Sequence, residues 1–225
     1  MKIISVRNGF TADHSSTSYE FIAVEKALGK KDRAAVSSLS SRADPTSRRV
    51  SFIYHADGYD IPGGWEALME KYYDVMYSES YDVWTLAIAF NTSAEQISEL
   101  QKYEFTGEDD FGIEVLVQGA RVIVIINCRL DNSSRDDSYE DYEDDEEGDE
   151  EGDEEDEDED EDKMLQLLIQ IRAQLQQGDY RALYKVWEKY NSEDEADEEI
   201  MATPSVPPEK PQGEKIIKQF SGMLE

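Results

Sequence analysis

A chain of 225 residues carries 53 acidic and 22 basic side chains, a formal net charge of −31, which disfavours direct binding to DNA, RNA or an anionic membrane, all negative themselves. Two histidines and one cysteine argue against a structural zinc site and exclude an intramolecular disulfide. No stretch approaches the ~20 apolar residues of a membrane span, the N-terminal apolar stretch is too short for a signal peptide, and a lone Cys128 fits a reducing compartment, so the expected location is cytoplasmic.

In chain order, residues 3–6 read as a short strand and 8–18 (NGFTADHSSTS) as a turn-rich loop. Residues 19–24 (YEFIAV) give the first clear strand, 30–41 a weak helix with Val36 and Leu39 inward, and 48–55 (RRVSFIYH) a strand with Val50, Phe52 and Tyr54 on one face. The turn-dense 56–64 (ADGYDIPGG) leads into a stripe of Trp65, Leu68, Met69, Tyr72, Tyr73 and Met76 at helical spacing, which predicts a helix over 65–78. Residues 81–90 (YDVWTLAIAF) read as a buried strand. Ser93 with Gln96 three residues on forms a capping box for a helix whose apolar side is Ile97, Leu100 and Tyr103. Residues 112–117 and 121–130 are two strands joined by a hairpin at 118–120. This order predicts an α+β domain over 1–135, a two-layer sandwich of helices on a mainly antiparallel sheet, with the split βαβ layout of ferredoxin-like domains.

Residues 136–162 then read DDSYEDYEDDEEGDEEGDEEDEDEDED, 22 carboxylates in 27 positions with no basic residue. The run contributes −22 of the charge, against −6 for the front part and −3 for the back. Ordering a residue costs roughly 1–2 kcal/mol of backbone entropy, and no aliphatic side chain here offsets it, so a disordered acidic run is expected. It can be a solvated spacer between two modules, a docking surface for a basic partner, or a weak reservoir for divalent cations.

Behind it, Met164, Leu168, Ile171 and Leu175 form the face of one helix, and Tyr180, Leu183, Tyr184 and Trp187 that of a second, broken apart at Gly178-Asp179. The pair over 163–190 reads as a helical hairpin that buries too little alone and should dock on the front domain, on its own copy or on a partner. An acidic and then proline-rich linker covers 191–213, and 214–225, with Ile216, Ile217, Phe220 and Leu224, reads as a short amphipathic helix. That helix can lie in a partner's groove or pack as a third helix on the hairpin.

Few residues suggest chemistry. Asp13, His14 and Ser15 place a base beside a hydroxyl, yet adjacency in sequence supplies no alignment, and a loop bonding its own backbone explains them as well. His55, Asp57 and Asp60 cluster at a strand end, where ligand sites often sit. An EF-hand template fails there, because Tyr59, Ile61 and Leu68 occupy ligand positions. No P-loop, G-x-G-x-x-G or G-x-S-x-G pattern is present, and Cys128 reads as a core residue. The aromatic-rich 72–84 suits core with a contact rim. No cofactor or metal is expected.

DHSSTSYEF at 13–21, DGYDIPGGWEALM at 57–69 and YYDVMYSESYDVWTLAIAF at 72–90 together resemble a group of uncharacterised bacterial proteins, and GDYRALYKVWEKY at 178–190 is similar to their back part. The resemblance implies a bacterial, cytoplasmic protein and carries no activity. The leading expectation is a non-enzymatic binding or regulatory protein that engages a basic protein or nucleoprotein. Its contacts would come from the run, represented by Asp153, Glu154 and Glu155, and from Trp187, Ile217 and Phe220, with self-association through the hairpin open. The alternatives are a small-ligand-binding or hydrolase-like domain at the 13–16 and 55–60 loops, and a structural spacer or assembly protein.

Overall fold

A computed structural model describes residues 17–41, 43–54, 61–80, 83–130, 163–191 and 204–225. The expected strand at 3–6 and the acidic run lie outside these residues. Among the described residues, seven strands form one sheet: β1 Thr17–Ile22, β2 Arg49–Tyr54, β3 Val75–Ser80, β4 Val83–Asn91, β5 Phe105–Thr106, β6 Gly112–Gln118 and β7 Arg121–Cys128. Their order is β2-β1-β3-β4-β7-β6-β5, and every neighbouring pair is antiparallel. Six α-helices of the described residues accompany them: α1 Lys30–Ser37, α2 Glu66–Lys71, α3 Ala94–Gln101, α4 Lys163–Gln176, α5 Arg181–Tyr190 and α6 Glu214–Ser221.

The α+β class holds, but the layering is thicker than a two-layer sandwich. Successive residues of a strand point to opposite faces, and in β4 and β7 both sets are apolar. Trp84, Leu86, Ile88 and Phe90, with Val122, Val124 and Ile126, face a core completed by α3, α4, α5 and α6. Ala87, Ala89, Ile123 and Ile125 face a second core with Val36 of α1 and Leu68 and Met69 of α2. The sheet is therefore covered on both sides. Nor is the layout a split βαβ: β1 and β2, joined through α1, are direct antiparallel neighbours, whereas that motif needs a parallel pair with a strand between them.

The helix expected over 65–78 is two elements. α2 stops at Lys71, Tyr72 leaves the helical region, and β3 follows between β1 and β4, with Tyr77 opposite both Glu20 and Leu86. Tyr72, Tyr73 and Met76 carry helical spacing, but two flanking strands decide the matter for Val75-Met76-Tyr77. Elsewhere the local signals hold: Ser93 accepts from the Gln96 N–H at 3.3 Å, the β6–β7 hairpin turns at Gly119 with φ +66°, and Gly178, φ +71°, separates α4 from α5.

The helices behind the run are a layer of this fold. α4 lies across β1, β3 and β4, α5 lies against β6, and α6 packs on both helices. The run consequently interrupts one fold in sequence and does not hold two modules apart in space.

Candidate functional site

The antiparallel order brings the ends of many segments to one edge of the sheet. Thr17 pairs with both Tyr54 and Ser80, Ser80 with Val83, Trp84 with Cys128, and Asn127 with Gly112. Segments 1–16, 55–60, 81–82 and 131–162 all join the described fold at this end. The β5–β6 connection is here too, and exposes Glu108, Asp109 and Asp110, the last two in the left-handed region at φ +54° and +63°.

The back helices are fastened to the same end. The Tyr190 hydroxyl donates to the Arg129 carbonyl at 2.9 Å and accepts from its N–H at 3.1 Å. Its ring lies 5.2 Å from Phe111, over which the Arg129 guanidinium sits at 5.6 Å. Burial pushes the Tyr190 phenol up to about 12. Gly107 permits this close approach, since a Cβ there would stand 2.4 Å from the Tyr190 carbonyl oxygen. Leu130, the last described residue before the run, bridges Leu224, and the Glu225 N–H donates to the Arg129 carbonyl at 3.1 Å. On the other side of the run, Met164 and Leu165 are buried at once in the core. Both attachment points of the run are thus fixed by packing.

The opposite end is tied by buried charge. The Asp74 carboxylate accepts from the Val24 and Glu25 N–H groups at 2.8 and 2.9 Å and pairs with Arg121 at 3.1 Å. Arg121 also donates to the Met69 and Tyr73 carbonyls at 2.9 and 2.7 Å, which holds α2. From the other face, Arg172 of α4 donates to the Ala89 carbonyl at 2.8 Å, pairs with Glu25 and stands 4.0 Å from Asp74. The junction joins all three layers. A second cluster centres on Arg181, which is bonded to Asp179 at 2.9 and 2.8 Å and to Glu214 at 3.0 Å. Burial opposes the charge on Asp179, but the Arg181 hydrogen bonds and charge outweigh it and hold that carboxyl below the ordinary range. Neither cluster was visible in the sequence beyond isolated charges in apolar surroundings.

Asp13, His14, Ser15, His55, Asp57, Asp60, Asp153, Glu154 and Glu155 lie outside the described residues. The register of Thr17 on Tyr54 sets the roots of the 13–16 and 55–60 loops side by side. Trp187 is half-buried and packs at 5.7 Å on Tyr184. Ile217 and Phe220, expected as partner contacts, are instead 5% and 1% exposed, because the apolar face of α6 lies on α4 and α5.

Among the described residues, no group of His, Cys, Asp and Glu is arranged to hold a metal. Cys128 is buried in the sheet, and burial pushes its thiol up, away from the thiolate a nucleophile needs. A shallow cavity of about 250 Å³ between α5 and the C-terminal turn is lined by Lys185, Glu188, Lys189, Ser221 and Leu224, with Lys185 already paired to Glu188 at 2.6 Å. No helix among the described residues is long and apolar enough to cross a membrane. No protein-family model, no curated protein and no solved structure matches this chain.

Proposed function

We propose that this chain is a non-enzymatic binding protein that presents a dense carboxylate surface to a basic protein or nucleoprotein. One observation carries the reading: the run is an insertion whose flanking residues Leu130 and Met164 are buried in one core, and Arg129 at its front root sits over Phe111, which follows the exposed Glu108, Asp109 and Asp110. A loop rooted at both ends keeps its charge near one face of a scaffold, which favours steering of a cationic partner to that face. The docking of α4 and α5 on the sheet weighs against a spacer between modules. A cytoplasmic setting, with the single thiol reduced and buried, and kinship with uncharacterised bacterial proteins belong to the same proposal and add no activity.

The test compares the intact chain with one whose 22 carboxylates in 136–162 are replaced by their amides, which preserves length. Basic proteins retained from a bacterial lysate by the intact chain alone, and released as salt shortens the screening length below ~8–10 Å, support the proposal. Equal retention by both chains contradicts it.

The neighbouring roots of the 13–16 and 55–60 loops favour a second reading, a small-ligand site holding Asp13, His14, Ser15, His55, Asp57 and Asp60. Substituting His14 and His55 together by alanine should then abolish ligand-induced thermal stabilisation in a screen of small anions and metabolites. A screen in which nothing stabilises the unsubstituted chain goes against it.

A further inference from the structure

Four aromatic side chains line one face of α5. Tyr180, Tyr184, Trp187 and Tyr190 follow one another at i, i+4, i+7 and i+10. Each packs against the core shared by β4, β7 and α4, and each stays partly exposed. Tyr184 and Trp187 lie 5.7 Å apart with their rings tilted by 31°, and Tyr180 lies 5.7 Å from Tyr103. The lysines of α5 stand apart from this row, because Lys185 and Lys189 line the shallow cavity toward the C-terminal turn.

Carboxylates stand at both ends of the row. Burial raises the Tyr180 phenol and the Glu99 carboxylate of α3 raises it further, so the two are neighbours. Glu99 pairs with Lys102 at 2.6 Å, but both side chains are more than half exposed, and water screens the pair. At the other end, Tyr190 lies 5.2 Å from Phe111, the residue that follows the exposed Glu108, Asp109 and Asp110. An arginine already uses the aromatic surface there: the Arg129 guanidinium sits over the Phe111 ring at 5.6 Å. Arg129 adjoins Leu130, so the row begins where the acidic run leaves the fold.

We propose that the aromatic row of α5 binds an arginine-rich segment of the basic partner, with guanidinium groups on the faces of Tyr184 and Trp187 and the acids holding its ends. The inference rests on the reading of the chain as a binder of basic partners, and it names the cation that partner carries. The face of an aromatic ring attracts a cation, tryptophan most strongly. A planar guanidinium stacks on the ring while its N–H fork still reaches a carboxylate. An ammonium is more strongly hydrated and must give up more water to do the same. The run draws in either cation through its charge, and the row then favours arginine.

The probes are oligoarginine and oligolysine of equal length, titrated against the full chain at about 0.15 M salt. Two exposed stacking contacts should favour oligoarginine by about fivefold. Tyr184→Leu with Trp187→Leu should bring the two affinities together, and Tyr184→Phe with Trp187→Phe should keep the preference. Equal affinities on the unsubstituted chain overturn the proposal, as does a preference that survives the leucine pair. Should the leucine pair not fold, the Trp187 indole N–H resonance of the unsubstituted chain decides, identified by its absence from Trp187→Phe. A larger shift with oligoarginine than with oligolysine supports stacking, and equal or absent shifts overturn it. Replacing the carboxylates of the run by amides should weaken both peptides together and keep their ratio, so failure of the run and failure of the row read differently.

Discussion

Arg172 on α4 donates its Nε–H to the carbonyl of Ala89 in the middle of the sheet at 2.8 Å. A residue beyond the acidic run thereby satisfies a backbone acceptor of a strand that precedes it. With only 5% of its side chain exposed, Arg172 has no water to replace these partners.

Removing that guanidinium should be costly. Arg172→Ala leaves the Ala89 carbonyl without this donor while Asp74 keeps Arg121, and an unsatisfied buried acceptor typically costs about 1–3 kcal/mol. Arg172→Met keeps the stem and should lose less. Urea denaturation should rank the chains unsubstituted, Met, Ala, and equal midpoints for all three would show that the junction contributes nothing.

Gly107 is a position where a single methyl group should matter. Its Cβ would meet backbone, the Tyr190 carbonyl oxygen at 2.4 Å, which cannot rotate away as a side-chain tip can. Gly107→Ala should destabilise by about 1–3 kcal/mol. It should also loosen the end of α5, seen as faster hydrogen exchange at the Arg129 N–H bonded to Tyr190.

Two pH effects follow, with opposite signs. The Asp179 carboxyl lies below its ordinary value in the fold. Its contribution is therefore complete above the unfolded value of about 3.9 and is lost as pH falls through the folded one. Asp179→Asn should flatten that acid limb of the stability curve. Tyr103 and Tyr190 are both raised to about 12, chiefly by burial. Below about pH 10 their neutral forms cost nothing, and stability falls as pH climbs from there toward 12, because the unfolded chain releases its protons first. Replacing both by phenylalanine should reduce that alkaline fall, measured by urea midpoints from pH 9 upward.

Much of the fold was legible where the signal is local. The continuous apolar runs of β4 and β7, the Ser93 cap and the break at Gly178 each depend on a few neighbouring residues. β3 was hidden because Tyr72, Tyr73 and Met76 continue the spacing of Trp65, Leu68 and Met69, while the strand exists only through pairing with β1 and β4. The covering of both sheet faces was hidden for a related reason: a buried strand and a half-buried one differ in partners that lie far away in sequence. Of the candidate site, sequence supplied the residue types in the 13–16 and 55–60 loops. Their common root at Thr17 and Tyr54 depends on strand register, which no composition reveals. The Asp74 junction gathers residues from positions 25, 74, 121 and 172, too far apart for any motif.

The parts before and after the acidic run are layers of one fold. Inserting a site-specific protease sequence between Gly148 and Asp149 and cutting there tests it most directly. The two fragments should stay together through native gel filtration, at both low and high salt, and unfold in one cooperative urea transition before separating. Fragments that part under native conditions, each eluting at its own size, would show that the two parts do not share one fold.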